Sequence, residues 1–183
     1  VYSSIVASLL FIIALLAITF SYKSLGDYFG KDYFHTYYKY AVIDSLVDRS
    51  SFAVLGSSGY AVDDMKVYYA ESTNLKYPLK TLQGADLRTF KVLGTGFAHD
   101  KDHLYFEGNE VIIDGLDIES FAPINYYYAK DKNQAYYLSY GMGQKVHVIP
   151  NADVQTFEIT EDVSGRNVAK DKNNTYINTL YDF

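Results

Sequence analysis

The chain has 183 residues and a formal net charge of −6, so it lacks the excess of basic side chains that a nucleic-acid partner requires to neutralise phosphates. It contains no cysteine, which excludes disulfides, thiol catalysis and cysteine-ligated metal centres. Its aromatic residues are 20 tyrosines and 11 phenylalanines with no tryptophan, a composition that favours strands and half-buried sheet surfaces.

The first segment, residues 1–22, carries no charge, and the stretch from Ile5 to Phe20 consists mostly of leucine, isoleucine, phenylalanine and alanine. As a helix these residues would extend about 33 Å, enough to cross a hydrocarbon core of about 30 Å. We therefore predict an uncleaved, single-pass transmembrane helix over 1–22. A cleaved signal peptide is the alternative, but bulky residues stand where such a peptide ends in small ones.

The charges that flank this segment bear on the side of the membrane that the remaining residues occupy. Three lysines follow it, Lys23, Lys31 and Lys39, and by the positive-inside rule they favour a cytoplasmic body. Basic residues before Val1 would reverse this difference in charge between the two sides of the segment. We expect the residues that follow the segment to lie on the extracytoplasmic side.

Residues 23–47 follow as a connector. Apolar residues recur there at steps of three, four and seven, which predicts a helix with one apolar stripe. The stripe either packs on the first repeat or binds a partner or the headgroup level of a membrane. The aromatic residues that would make the partner contact are Phe29, Tyr33 and Tyr37.

Two signatures recur four times in residues 48–183. The first is Asp-x-x-Ser/Thr-Phe, which ends at Phe52, Phe90, Phe121 and Phe157. The second joins an aspartate to a tyrosine five residues later, in the pairs Asp63–Tyr68, Asp100–Tyr105, Asp131–Tyr136 and Asp171–Tyr176. Self-similarity at a period of roughly 31–40 residues predicts stacked antiparallel β repeats, about four units in all.

Each aspartate of the second signature opens a polar turn between two short apolar stretches, which predicts a β-hairpin with an Asx-type turn. The tyrosines that close the signature are expected to form the core between repeats. A sugar- or peptide-binding face is the alternative for this row. The next residue of each strand points to the other face, so Tyr69, Phe106 and Tyr137 are the expected contact surface.

These residues resemble a known family. Ala129–Tyr137 spells Ala-Lys-Asp-Lys-Asn-x-x-Tyr-Tyr, and with the partial copy at 169–176 and the run Ala152–Phe157 it is similar to the DKNYY repeat of bacterial proteins. The resemblance covers residues 48–183, although the first copy has Asp63-Asp64-Met65 in place of Asp-Lys-Asn. It implies a bacterial envelope-associated domain without established catalytic residues.

The same aspartates have a second interpretation, as calcium ligands. An EF-hand loop needs a glutamate at its twelfth position, whereas counting from Asp131 reaches Met142. Turn capping explains these aspartates better.

His99 and His103 flank a turn rather than share a helix face, which argues against a zinc site. We predict no metal, no cofactor and no catalytic residue.

The function predicted from these features is that of a non-enzymatic accessory or interaction module. It would be a subunit of a bacterial envelope or inner-membrane protein complex, with residues 1–22 in the membrane and a membrane protein as partner. An envelope glycan-binding module is one alternative. A pilin-like filament subunit is another, although Ile5 stands where a type IV pilin has glutamate.

Overall fold

The computed structural model describes residues 2–19, 22–71, 79–139, 146–161 and 167–176. Within these ranges the chain forms one α-helix, α1 (Tyr2–Thr19), and nineteen short strands. The strands are β1 (Lys23–Gly26), β2 (Phe29–Lys31), β3 (Thr36–Tyr38), β4 (Ala41–Val42), β5 (Ala53–Val54), β6 (Tyr60–Val62), β7 (Val67–Ala70), β8 (Leu79–Thr81), β9 (Lys91–Gly94), β10 (Phe97–His99), β11 (Leu104–Phe106), β12 (Asn109–Val111), β13 (Ala122–Pro123), β14 (Tyr128–Lys130), β15 (Ala135–Leu138), β16 (Val146–Val148), β17 (Glu158–Glu161), β18 (Asn167–Lys170) and β19 (Thr175–Tyr176).

The strands pair with their neighbours in the chain to form five small antiparallel sheets. In chain order these are the first sheet (β1–β4), the second (β5–β8), the third (β9–β12), the fourth (β13–β16) and the fifth (β17–β19). Consecutive strands are adjacent because each connection is a short turn, which only antiparallel pairing permits. The prediction of a mainly β chain built from repeat-like antiparallel units is confirmed.

The chain divides into two compact units, Val1–Gln83 and Gly84–Phe183. The first unit holds α1 and the first two sheets, and the second unit holds the remaining three. Within each unit, neighbouring sheets share a core. In the first unit, Phe29 and Tyr38 of the first sheet are buried with Ala61 and Tyr68 of the second.

A phenylalanine from the loop before each sheet joins that sheet to the preceding one within the unit. The Phe121 ring lies 5.0 Å from the ring of Phe97 in the third sheet and 5.5 Å from Tyr136 in the fourth. Phe52 bridges the first and second sheets in the same way, and Phe157 bridges the fourth and fifth. In three of its four copies, at Phe52, Phe121 and Phe157, the phenylalanine of the Asp-x-x-Ser/Thr-Phe signature is therefore an inter-sheet core residue, whereas Phe90 is half-buried.

The helical connector predicted over residues 23–47 is wrong, because this stretch forms β1–β4, the first sheet. Asp27 and Tyr28 adopt left-handed φ angles of 48° and 65°, which reverse the chain and cannot continue a right-handed helix. The aromatic spacing that suggested a helical stripe has another origin. Phe29 is buried whereas Tyr33 is exposed, so the two do not share a face.

The prediction of a transmembrane helix over 1–22 is not supported either. The helix ends at Thr19, and its 18 residues extend about 27 Å, against a hydrocarbon core of about 30 Å. Over the described ranges, no helix has the length and apolarity needed to cross a membrane. The side chains from Ile5 to Ile13 are exposed.

Candidate functional site

The most regular polar feature of the molecule is a turn organised by one aspartate, between the second and third strands of a sheet. In the fourth sheet Asp131 is 3% exposed, and its Oδ1 accepts the backbone N–H groups of Asn133 at 2.6 Å and Gln134 at 2.7 Å. Its Oδ2 accepts the Tyr136 hydroxyl at 2.7 Å and the Asp117 N–H at 2.8 Å. We call this arrangement an aspartate turn.

Aspartate turns of the same geometry stand at Asp63, Asp100 and Asp171. Each Oδ1 accepts two N–H groups of its own turn, and each Oδ2 accepts a tyrosine hydroxyl and the N–H of an aspartate in the preceding loop. The Oδ2 contacts measure 2.6 and 2.8 Å at Asp63, 3.2 and 2.9 Å at Asp100, and 2.7 and 2.7 Å at Asp171. One carboxylate thus fixes the turn, the following strand and the preceding loop together.

The Ser/Thr of the Asp-x-x-Ser/Thr-Phe signature makes a second bond between that loop and the turn. The Ser120 hydroxyl accepts the N–H of Lys132 at 3.0 Å, and Thr156 accepts that of Lys172 at 3.1 Å. Ser51 and Thr89 make the corresponding bonds in the second and third sheets. In the fourth and fifth sheets the lysine then pairs with the loop aspartate, Lys132 with Asp117 at 2.5 Å and Lys172 with Asp153 at 2.6 Å. The Asp-x-x-Ser/Thr-Phe signature and the Asp–Tyr pair recur together because hydrogen bonds join them into one structural motif.

A fifth aspartate turn, which the sequence reasoning missed, lies in the first sheet. Asp32 accepts the N–H groups of Phe34 at 2.7 Å and His35 at 2.6 Å, and the Tyr37 hydroxyl at 2.7 Å. The available signal was Lys31-Asp32 followed by Tyr37, with Gly30 in place of the usual alanine. A Cβ at that position would overlap the Tyr22 ring, which would have to move aside.

Ionisation of these groups follows from their contacts. Burial raises the pKa of Asp63, but the hydrogen bond from Tyr68 and the backbone donors outweigh it, so the pKa is lowered overall. The Asp153 N–H and further donors lower the pKa of Asp171 to about 2. Burial and the adjoining carboxylate raise the pKa of the Tyr136 hydroxyl well above its ordinary range. The turn therefore holds a fixed carboxylate against a neutral tyrosine.

This ionisation predicts acid lability. A carboxylate whose pKa is lower in the folded than in the unfolded chain stabilises the fold above the unfolded pKa, and that stabilisation is lost as the pH falls through the folded value. With the pKa of Asp63 and Asp100 lowered and that of Asp171 near 2, we expect the urea unfolding midpoint to stay level down to about pH 5 and to fall between about pH 4 and 2. Circular dichroism across a pH series measures it. A midpoint that already falls above pH 5, or that never falls, would contradict this expectation.

Four of the five aspartate turns are saturated as acceptors, which bears on the calcium interpretation. A carboxylate has about four acceptor sites, and Asp63, Asp100, Asp131 and Asp171 each receive four donors from the chain itself. Across the described part of the chain, no three histidine or acidic side chains are grouped as a metal site. These aspartates cap turns.

The two tyrosine rows have different environments. Tyr68, Tyr105 and Tyr136 are buried in the core, and Tyr176 is half-buried. In the second row, Tyr69 and Tyr137 are half-buried, and the Tyr137 ring stacks on His147 at 4.6 Å.

Two residues expected at a contact surface lie in the core instead. Phe106 is 2% exposed because its ring packs 4.5 Å from that of Phe97. Phe29 is fully buried between Tyr38 and Phe52. Assigning these two phenylalanines to a partner surface was therefore wrong, since both faces of their strands are covered. Tyr33 remains exposed, and Tyr37 is half-buried.

Among the described residues outside α1, the most exposed aromatic side chains lie at hairpin ends. Tyr28, in the β1–β2 turn, is 75% exposed, and Tyr40, in the β3–β4 turn, is fully exposed. The two turns lie side by side, because the Lys39 N–H donates to the Tyr28 carbonyl at 2.7 Å. The Lys39 Nζ lies 5.8 Å from the centre of the Tyr28 ring. We call Tyr28, Lys39 and Tyr40 the tip surface.

The backbone of the tip surface is strained. Tyr28 has a φ of 65° and Lys39 a φ of 55°, in the left-handed region that side chains with a Cβ disfavour. The residues that take the place of Tyr28 in the second and third sheets are Gly59 and Gly96, with φ of 79° and 82°. Both accept the same cross-turn hydrogen bond that Tyr28 accepts. The tyrosine thus occupies, with a left-handed φ, a position that belongs to glycine in the second and third sheets. In the fourth sheet Tyr127 stands there and accepts the corresponding bond from Leu138, but it is not among the residues with a left-handed φ.

Comparison with known proteins places these features in a family. Two overlapping segments of the chain, residues 71–140 and 109–180, match the model of the DKNYY family. Together they span 71–180, which is more than half of the chain. No curated protein and no solved structure matches the chain.

Proposed function

The chain belongs to the DKNYY family, and from that premise we propose that it is a non-enzymatic interaction module whose tip surface docks on a protein partner. In this proposal the module is an accessory subunit of a bacterial envelope complex. Its N-terminal apolar segment attaches it to the inner membrane, with the sheets on the extracytoplasmic side. The exposed apolar side chains of α1, from Ile5 to Ile13, support the attachment.

The observation that carries the docking proposal is the combination of strain and exposure at Tyr28. A left-handed residue with a Cβ costs about 1–2 kcal/mol, and glycine would remove that cost. The side chain gains little by packing, since the residue is 75% exposed. Neither feature stabilises the fold, so we attribute the side chain to an external contact.

The chemistry of the tip surface suits a protein partner. Tyrosine is enriched at protein interfaces because its ring buries a large area with few rotatable bonds while its hydroxyl still finds a hydrogen bond. Lys39 lies within cation–π range of the Tyr28 and Tyr38 rings, which favours a defined ring position and leaves a positive charge at the tip. The partner surface that fits is an apolar depression bordered by carboxylates.

The saturated aspartates support the non-enzymatic part of the proposal, because a general acid or base needs a proton-accepting position that a substrate can reach. The glycan-binding alternative rested on an exposed row of tyrosines. Three members of that row, Tyr68, Tyr105 and Tyr136, are buried, so we do not favour it.

Replacing Tyr28 with glycine and Tyr40 with serine tests the docking proposal. We expect recovery of a stoichiometric partner in a mild-detergent pull-down to fall about tenfold or more, since interface tyrosines often contribute 2 kcal/mol or more. Stability should hold or rise slightly, because Tyr28→Gly relieves strain. Quantitative mass spectrometry and urea unfolding measure the two effects.

The matched control is Thr95→Gly. Thr95 also has a left-handed φ, of 48°, in a hairpin turn of the third sheet, but it lies outside the tip surface. It should change stability in the same direction and leave partner recovery intact. Unchanged recovery with the tip variant, or equal losses with both variants, would refute docking through the tip.

A further inference from the structure

The aspartate turn of the first sheet differs from the others in the two residues that follow its aspartate. In the third, fourth and fifth sheets these are polar: Lys101-Asp102, Lys132-Asn133 and Lys172-Asn173. In the first sheet they are Tyr33 and Phe34, which are 68% and 52% exposed. Their rings pack edge to face, with centres 5.1 Å apart. One turn out of five therefore presents two aromatic rings where three of the others carry charged or amide groups.

This aromatic turn stands at the end of the first sheet where the chain arrives from α1. The helix ends at Thr19 and β1 begins at Lys23, which pairs with Lys31 immediately before the turn. The ring of Tyr22, the residue before β1, is exposed and lies 6.2 Å from the Tyr37 ring. The aromatic turn thus lies beside the start of β1, the strand that follows the apolar helix in the chain. The tip surface lies at the opposite end of the same strands, about 10 Å away.

Arginine and lysine side chains fix the backbone of the aromatic turn through hydrogen bonds. The Arg49 Nη2 donates to the carbonyls of Asp32 and Tyr33, at 2.5 Å each, and the Lys31 Nζ donates to the Arg49 carbonyl at 2.6 Å. Asp32 is bonded to the Tyr37 hydroxyl, and Asp44 to His35 and to the Thr36 N–H. Both neighbouring carboxylates are therefore occupied within the sheet.

The basic residues at this end of the first sheet are Lys23, Lys31 and Arg49. Its acidic residues, Asp32 and Asp44, are hydrogen-bonded as described, and Asp48 in the following loop bonds to Ser50. Aromatic rings flanked by basic side chains, next to an apolar helix, are the combination found at the headgroup level of a bilayer. A purely protein-binding surface would not require continuity with the helix.

We propose that the aromatic turn, Tyr33 and Phe34 with Tyr22 beside it, inserts into the headgroup region of an anionic lipid bilayer and seats the first sheet on the membrane. This inference rests on the membrane attachment in the proposed function and adds a second lipid contact beyond α1. It gives the first sheet an orientation, with the aromatic turn in lipid and the tip surface directed away from it.

A site-specific fluorophore tests the insertion directly, because the chain has no cysteine of its own. We would label Tyr33→Cys and, as the matched control, Tyr40→Cys in separate full-length proteins with an environment-sensitive dye. Vesicles of phosphatidylethanolamine and phosphatidylglycerol are then added. The dye at position 33 should shift to the blue and gain intensity, whereas the dye at position 40 should keep its aqueous spectrum.

Affinity provides an independent readout. The double variant Tyr33→Lys, Phe34→Asn gives this turn the sequence Asp-Lys-Asn, which the aspartate turn of the fourth sheet has at 131–133. We therefore expect the variant to fold. Its affinity for the same vesicles should fall roughly tenfold, since binding scales with buried apolar area. The variant with Tyr28→Gly and Tyr40→Ser should bind vesicles as the unaltered chain does.

The outcomes separate the two proposals. Vesicle binding with no spectral shift at position 33, or with equal shifts at 33 and 40, overturns the aromatic-turn insertion and leaves attachment through α1 intact. Loss of a protein partner by the Tyr33→Lys, Phe34→Asn variant with unchanged lipid affinity would make the turn a protein contact and would also overturn it. Failure of the full chain to bind vesicles at all overturns both proposals.

Discussion

Replacing Asp131 with alanine is expected to lower the free energy of unfolding of the second unit by about 4 kcal/mol, because it removes the acceptor for four donors at once. Two of these, the N–H groups of Asn133 and Gln134, lie in an exposed turn and can bond to water. The Tyr136 hydroxyl is fully buried, and its loss of a charged acceptor costs about 1.5–3 kcal/mol, with a similar cost for the Asp117 N–H.

Urea unfolding measures this loss, and two variants calibrate it. Tyr136→Phe removes one donor and leaves the carboxylate three, so we expect a loss of about 1.5–3 kcal/mol. Glu119→Gln changes an exposed acid in the preceding loop and should leave stability unaltered. A loss below about 1 kcal/mol for Asp131→Ala would show that the turn does not depend on its carboxylate.

Replacing Phe121 with alanine should lower the free energy of unfolding by about 3–5 kcal/mol, the usual cost of deleting a buried phenylalanine ring. The ring is 4% exposed and contacts Phe97 in the third sheet and Tyr136 in the fourth. Because it belongs to the core of both sheets, the cavity should weaken both together.

Hydrogen exchange distinguishes this joint effect from a local one. With Phe121→Ala, the amides of β10–β11 and β14–β15 should lose protection to a similar extent. The matched control is Phe90→Ala, since Phe90 has the same position in its loop but is only half-buried against Tyr105, and its removal should cost less. Lost protection in one sheet alone would contradict an inter-sheet role for the phenylalanine.

The residues that define the family have separable physical roles in the fourth sheet. The aspartate organises the turn, and Lys132 pairs with Asp117 in the preceding loop. The Asn133 side chain donates to the Gly115 carbonyl at 3.1 Å. The first tyrosine, Tyr136, is buried and donates its hydroxyl to the Asp131 carboxylate. The second, Tyr137, stacks on His147. In this sheet each letter of the motif therefore makes a contact of its own.

The same reasoning explains which parts of the fold the sequence predicted. The aspartate must open the turn and the tyrosine must follow five residues later, so the second to fifth sheets were recognisable by this spacing alone. The first sheet was not, because Gly30 replaces the usual alanine and no Asp-x-x-Ser/Thr-Phe loop precedes this sheet. Its aromatic residues also happen to fall at helical intervals, which concealed the alternation of a strand.

The contact surfaces were the least predictable part. Strand periodicity assigns Phe106 and Tyr137 to one face, but it does not reveal that the ring of Phe97 covers Phe106 while Tyr137 lies beside His147. The tip surface became visible only when Tyr28 could be compared with Gly59 and Gly96 in the equivalent turns. Burial and backbone strain depend on neighbours that are distant in sequence.

The aspartate turn is tested most directly by proton NMR of the tyrosine hydroxyls. The Tyr136 hydroxyl and the Asp117 N–H donate to the same oxygen, so their protons must lie close together. We predict a slowly exchanging hydroxyl proton on Tyr136 with a nuclear Overhauser effect to the Asp117 amide, and equivalent cross-peaks for Tyr68 with Asp48 and Tyr105 with Asp86. Hydroxyl protons that exchange as fast as in free tyrosine, without these cross-peaks, would contradict the aspartate turn as the repeated device that holds this fold.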